Sequence, residues 1–518
     1  MLEKSVIVIG AGIAGLSAGC YAQMNGYRTR IFEMHTIPGG LCTAWKRKGY
    51  TIDSCIHWLV GSKPGRSMNR YWQEVGMVQG REFLDLEEFV RVEDEQGRTL
   101  ILYTDLDRLE QHLLELAPED EKLIREFVSA ARRLVNFDSP PDRLPGMKGM
   151  LEYAGEMLKL VPALPVFPRW GKLSMGEFSA RFKNPFLRQA MASTWGEDFP
   201  VIAFMMTLAW LHDHNAGYPI GGSLPLALAV EKRFKDLGGE IHYGSRVEQI
   251  LTEGGRAVGI RLADGREERA DIVISAADGH ATIFNMLDGR YLDDRIRGYY
   301  DHYKLFPPIV YLALGVKRSF DGEPQIISGT VFSLDEPLRV GDKDLQRLEV
   351  RIQNYDPTLA PRGHSVIYMI LETGYEYWKD LYAEDRERYD AEKQELALRV
   401  IRRLEKRYPG LEADVEMVDV ATPVTFESYT GNWRASWEGW LPTPDNLMAR
   451  MSRTLPGLEN FYMVGQWVQP GGGLPSGVMT GREVVGMICK QDGRRFSTSL
   501  PSEKHPAGQT ALHQAGAD

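Results

Sequence analysis

Ser5-Val6-Ile7-Val8-Ile9-Gly10-Ala11-Gly12-Ile13-Ala14-Gly15 decides the reading of this chain. An apolar, β-branched run feeds a G-x-G-x-x-G turn and then a helical stretch, the pattern that cradles a dinucleotide. Gly10 permits the tight turn, Gly12 lets a pyrophosphate reach the backbone, and Gly15 allows helix and strand to pack closely. The helix start then presents unpaired N–H groups to the phosphates. A second strand, Arg28-Thr29-Arg30-Ile31-Phe32, ends at Glu33, 18 positions beyond Gly15 (33 − 15 = 18). An acid at that place binds a ribose hydroxyl and repels a 2′-phosphate, so NADP is disfavoured.

The chain has 518 residues, a net charge of −10 and 43% apolar residues. Its length calls for more than one lobe. Its acidity argues against a nucleic-acid partner. Cys20, Cys42, Cys55 and Cys489 show no C-x-x-C spacing, so the spacing indicates neither a metal site nor a redox pair, and so few thiols suit a reducing compartment. The first strand begins at residue 5, which leaves no room for a leader and makes the cytoplasm the default location. The longest apolar run, Val201 to Leu211, is too short to span a bilayer and reads as a core helix or cavity wall. Met147 to Met175 mixes apolar residues and cations around three prolines, a composition that can rest on a membrane surface or serve as a lid.

The order of patterns predicts a discontinuous nucleotide-binding domain in an α/β protein. Its segments are 1–80, 220–290 and 412–490. They include an alternating β-meander from Glu240 to Leu262, the near-continuous apolar strand Asp271–Ser275 and a last strand at Asn460–Gly465. Segments 81–219 and 291–411 are assigned to an α+β substrate domain, mostly helical in its first part, with a charged helix near Ala383–Tyr408. The last helix is expected near Val478–Cys489, with a disordered tail over 491–518.

Several segments together resemble the phytoene desaturase superfamily, which includes carotenoid isomerases and retinol saturases. These are the glycine fingerprint with Glu33, Gly39-Gly40-Leu41-Cys42-Thr43, Tyr218-Pro219-x-Gly221-Gly222, Val247 to Asp278, Asp356 to Gly363, and Gly465 to Gly477. The resemblance implies an FAD-binding Rossmann-type domain. In it Gly10, Gly12, Ala14, Gly15, Glu33, Gly39, Gly40, Leu41 and Thr43 would serve the adenosine and phosphate side, with the Val247 backbone at the adenine. Gly465, Gln466, Gly473, Leu474 and Pro475 would approach the flavin ring. Leu41 stands where the family often has Arg, which removes an ionic phosphate contact. Asp53-Ser54-Cys55-Ile56-His57-Trp58 replaces the desaturases' Asp-x-Gly-Pro run and is closer to retinol saturases.

These features point to a flavin oxidoreductase acting on C–C or C=C bonds of an apolar isoprenoid or polyene. His57 is the candidate proton-handling group, because an imidazole works near neutral pH; a structural histidine is the alternative. His212 and His214, two apart on different helix faces, make a poor metal pair. With no second glycine fingerprint for a nicotinamide, quinone, oxygen or a protein is favoured as redox partner. A redox-neutral isomerase, a flavin amine oxidase and a non-enzymatic prenyl-binding escort resembling Rab GDP-dissociation inhibitors are the competing readings. The oligomeric state is left open.

Overall fold

The computed structural model describes residues 4–138, 161–449 and 451–501. A five-stranded parallel sheet organises the first lobe. Its strands are β1 (Ser5–Ile9), β2 (Arg28–Phe32), β3 (Glu240–His242), β4 (Ile272–Ser275) and β5 (Phe461–Met463), in the order β3-β2-β1-β4-β5. Residues Val6 to Ile9 lie opposite Ile272 to Ser275, so the two most apolar runs form the sheet centre. They are buried on both faces, as a helix-covered parallel sheet requires. Helices α1 (Ile13–Met24), α2 (Ser223–Asp236) and α3 (Gly473–Gln491) cover one face. On the other lies a three-stranded antiparallel meander, Val247–Glu253, Arg256–Leu262 and Glu267–Arg269.

A seven-stranded sheet forms the second lobe. Strand Ile309–Val316 pairs on one side with Ser365–Glu372 and on the other with Val415–Ala421. The strand Val415–Ala421, assigned from sequence to the nucleotide-binding segment 412–490, thus belongs to this second sheet. The sheet ends in Glu88–Glu93 and Thr99–Tyr103, so helices in the 81–219 region begin only at Leu106. Charged residues interleaved through these strands mask their apolar alternation. One face of the sheet, with Val310, Leu312, Leu314 and Met369, packs on helix Arg386–Arg407. The other, with Tyr311, Ala313 and Tyr368, packs toward Tyr50, Ile52 and Leu41 of the first lobe.

Three further expectations are resolved. Helix Val201–His212 is a core helix, with Val201, Phe204, Met205 and Leu208 fully enclosed. The first half of the membrane-surface stretch, 147–160, lies outside the described residues; the rest, 161–175, holds the short helix Val166–Trp170 and the start of Met175–Ser179. The tail expected from 491 is ordered through 501: Arg494 donates to the Asn25 and Gly26 carbonyls, and Phe496 packs on Tyr21. One aromatic residue within a polar run anchors the segment, a signal that composition averages away. Among the described residues, no helix is long and apolar enough to cross a membrane.

Candidate cofactor and active site

The site grows from the turn between β1 and α1. Gly10 takes φ +94°, and a Cβ there would sit 3.4 Å from the Ala276 carbonyl oxygen. At Gly15 a Cβ would lie 2.0 Å from the Gly10 carbonyl oxygen, so only glycine fits. Gly12 differs: its nearest neighbour would be the Gly39 carbonyl at 3.9 Å, which leaves this backbone open to a ligand. The Glu33 carboxylate reaches back to the turn, accepting from Ala11 N at 2.6 Å and His35 N at 2.8 Å. Ser245 N donates to the Glu33 carbonyl at 2.7 Å, which brings the Val247 strand to the same edge.

The second glycine pair closes the other side. Gly39 N donates to the Ala11 carbonyl, and Gly40 lies against Gly12. Beside them the Thr43 Oγ1 is enclosed without a hydrogen-bond partner. A buried hydroxyl left unpaired at a phosphate-type loop is the mark of a missing polar ligand. Leu41, in the family's arginine position, instead packs into the apolar cluster of Tyr50, Ile52 and Tyr311.

At the far end, Gly465 abuts Ala14, while Gly477 and Gly481 meet the backbone of Ala14 and Ala18. Small residues thus let α1 and α3 cross closely. Helix α3 starts at Gly473, five residues earlier than its sequence suggests, and takes Leu474 and Pro475 into its first turn. Proline is tolerated there because first-turn N–H groups lack helical partners. Gln466 lies beside Gly439, and Glu438 sets its backbone carbonyl beside Gly472 and its carboxyl beside Gly473. Burial pushes the Glu438 pKa up to about 8.

Two carboxylates missed as site residues fasten the loop between the lobes. Asp53, 2% exposed, accepts from Ser223 N, Ser223 Oγ and Cys55 N. Gly222 is glycine because a Cβ would lie 2.1 Å from the Asp53 carboxylate. Asp356 accepts from Tyr218 Oη at 2.8 Å and Gly221 N at 2.9 Å. The resemblance singled out both loops, but their meeting is a tertiary fact.

His57 stands on this framework. Its ring stacks on Tyr368 at 6.0 Å and 12°, with Trp58 tilted against it, and its Nε2 is enclosed without a partner. Tyr368 stacks in turn on Tyr311, whose hydroxyl donates to the Asp53 carbonyl. Arg351, opposite Tyr368 in the sheet, holds its guanidinium over that ring and pairs with Glu349 at 2.7 Å. Burial, and then Arg351, hold the His57 pKa well below the usual histidine range. The imidazole is therefore neutral. Tyr311, Tyr368 and Arg351 come from strands distant in sequence, and only the alternation of Tyr311 with Leu312 hints at a distinct face. His212 and His214 do not join this site: His212 accepts from Leu106 N, and His214 lies near Asp85.

The model of the flavin-containing amine oxidoreductase family matches residues 13–489. The chain belongs to this family. It is 26% identical over 500 residues to the chloroplastic prolycopene isomerase of Arabidopsis thaliana, covering 93% of this chain and 82% of that protein. It is 25% identical to the neurosporene-forming phytoene desaturase of Rhodobacter capsulatus, covering 93% of each. The fold is shared with an oxidoreductase from Methanosarcina mazei, with a TM-score of 0.57, 20% identity and coverage of 92% and 100%. Cyclohexylamine oxidase from Brevibacterium oxydans shares it at a TM-score of 0.57 and 14% identity, covering 95% and 100%. This family member is an FAD-dependent oxidoreductase. The open Gly12 backbone, the Glu33 carboxylate and the orphaned Thr43 hydroxyl fit that cofactor. The escort reading is thereby set aside.

Proposed function

We propose that this oxidoreductase acts on C–C or C=C bonds of an apolar isoprenoid polyene, by desaturation, saturation or isomerisation. The observation that carries this reading is the aromatic stack in which the wholly buried Tyr368 and Tyr311 back the ring of the part-exposed His57, with the Arg351 charge behind it. Flat rings suit a flat conjugated chain. The similarity to proteins named prolycopene isomerase and phytoene desaturase supports the same substrate class. Bound FAD would supply two-electron, hydride-type chemistry. His57, whose charged form burial and Arg351 oppose, would pass the accompanying proton on rather than keep it.

Amine oxidation is the second reading, favoured by the family's name and by the fold shared with cyclohexylamine oxidase. The same Arg351 field that disfavours protonated His57 opposes an ammonium group beside it. Two further expectations stand as part of the proposal. Val161 and Leu164 are exposed near Arg169 and Lys172, an arrangement that suits contact with a bilayer holding the substrate. Quinone or oxygen would serve as electron acceptor.

The test is the anaerobic visible spectrum of the holoenzyme titrated with detergent-dispersed phytoene and cis-lycopene. Bleaching of the oxidised flavin band is expected from a desaturase. Conversion only after pre-reduction is expected from a saturase or isomerase. No response to either polyene in either redox state, with bleaching by benzylamine, overturns the proposal. His57→Ala is expected to keep its flavin and lose about 10²–10⁴-fold in turnover, as removal of a proton-transfer group does. Unchanged turnover would remove His57 from the mechanism.

A further inference from the structure

The hairpin after the second glycine pair brings together two cysteines that sequence spacing keeps apart. Strands Ala44–Arg47 and Tyr50–Asp53 pair in register, Ala44 opposite Asp53 and Arg47 opposite Tyr50. Lys48 and Gly49 form the turn, both with positive φ, as the two-residue turn that matches strand twist requires. Cys42 and Cys55 lie two residues beyond Ala44 and Asp53, one on each strand end, where the ladder has stopped: Thr43 N donates to the Leu41 carbonyl and Cys55 N to the Asp53 carboxylate. Both ends converge on Ser223. The Cys42 Sγ donates to its carbonyl at 3.4 Å, and Ile56 N, next to Cys55, donates to its Oγ at 2.9 Å. The neighbouring Cys55 thiol, and then burial, hold the Cys42 thiol well above the usual cysteine range.

The surroundings differ for the two sulfurs. Cys42 is 2% exposed and its Sγ donates to the Ser223 carbonyl at 3.4 Å. Cys55 is only partly buried, and its N–H is held by Asp53. An oxidant therefore meets Cys55 first, with Cys42 waiting behind it. Reactivity toward peroxides follows thiolate character and access, so Cys42, buried and held protonated, is left as the sulfur that resolves the oxidised one.

We propose that Cys42 and Cys55 are a peroxide-oxidisable thiol pair that closes to a disulfide, clipping the glycine loop of the cofactor site to the loop carrying His57. In the first step the Cys55 thiol attacks hydrogen peroxide, breaking the O–O bond to give Cys55 sulfenic acid and water. In the second, the Cys42 sulfur attacks the sulfenic sulfur, forming the S–S bond and releasing the oxygen as a second water. Two thiols lose two electrons and two protons; one peroxide gains them. Closure removes the Cys42 proton from the Ser223 carbonyl and fixes residues 42–55 as a ring. The absence of C-x-x-C spacing thus does not exclude a redox pair, because a hairpin brings distant cysteines together.

The test exposes the holoenzyme to a few equivalents of hydrogen peroxide, traps free thiols with N-ethylmaleimide and maps the peptides by mass spectrometry. Free thiols are expected to fall from four to two, with one dithiothreitol-reversible cross-link joining the Cys42 and Cys55 peptides. In Cys42→Ser, with no resolving thiol, Cys55 is expected to advance to sulfinic acid. The proposal is overturned if the wild-type enzyme keeps all four thiols or forms a link through Cys20 or Cys489. Over-oxidation of wild-type Cys55 without a link overturns it equally. The wild-type measurement decides the matter even where a variant fails to fold.

Discussion

Gly12 and Gly15 lie three residues apart in one turn, yet they are glycine for different reasons. A methyl group at Gly15 would overlap the Gly10 carbonyl, whereas at Gly12 it would meet protein only at 3.9 Å and occupy the space left for pyrophosphate. Gly12→Ala should therefore fold with near-wild-type stability and bind FAD at least about tenfold more weakly, a loss of about 1.4 kcal/mol. Gly15→Ala should lose stability itself, by about 1–3 kcal/mol from overpacking. Flavin titration beside urea unfolding separates the two effects. Glu438 supplies a pH signature. Its folded pKa of about 8 lies above its ordinary value of 4.5, so the native state binds more protons between those limits. Its stabilising contribution is full below pH 4.5 and is lost as pH rises through 8. Glu438→Gln should flatten the fall in urea midpoint between pH 5 and 8. Asp278, pushed up to about 7 by burial, keeps part of the slope in the variant.

Among the elements, α3 ties segments distant in sequence to one another. Its Gly477 and Gly481 seat it on α1, and its Arg482 donates to Glu74 of helix Ser67–Glu74 at 3.1 Å. Both side chains are almost wholly buried, at 5% and 1% exposure, and the guanidinium also faces the Tyr71 and Phe496 rings. Without Arg482 the buried Glu74 carboxylate keeps Arg70 Nε at 3.3 Å and the Tyr21 hydroxyl at 3.0 Å, so the cost falls at the lower end of that for breaking a buried pair, about 3 kcal/mol. Arg482→Met should show a loss of that size in chemical unfolding. Replacing both members together, Arg482→Met with Glu74→Leu, should recover most of it. A double-mutant cycle measures the difference.

For the molecule as a whole, the cofactor site draws on the beginning, the middle and the end of the chain. Loops at Gly12, Gly40, Ser245 and Gly465 converge although more than 450 residues separate the first from the last (465 − 12 = 453). A ligand held by such distant segments stabilises the native state alone. Stripping FAD should lower stability by about 4 kcal/mol relative to the enzyme at a thousandfold excess over Kd, and adding FAD back should restore it. Calorimetry of the apo and reconstituted enzyme checks this. A transition unaffected by FAD would mean that the native state does not bind it selectively.

The sequence by itself determined the nucleotide-binding turn, its acid at Glu33 and four of the five strands of the parallel sheet; Glu240–His242, read as part of the meander, pairs in parallel with Arg30–Phe32 instead. Each of these is written locally: a glycine where φ is positive or space is short, an apolar run where both faces are buried. Helix α3 was legible in kind but misplaced at its start, because glycine and proline read as loop until their first-turn positions are known. The tertiary structure alone assembled the residues around His57. Tyr311, Arg351 and Tyr368 share a face through strand register, and Asp53 and Asp356 find the loop at Tyr218–Ser223 across more than 130 residues (356 − 223 = 133). It also set Cys42 against Cys55. Register and burial are properties of paired segments, and a single segment does not carry its partner's position.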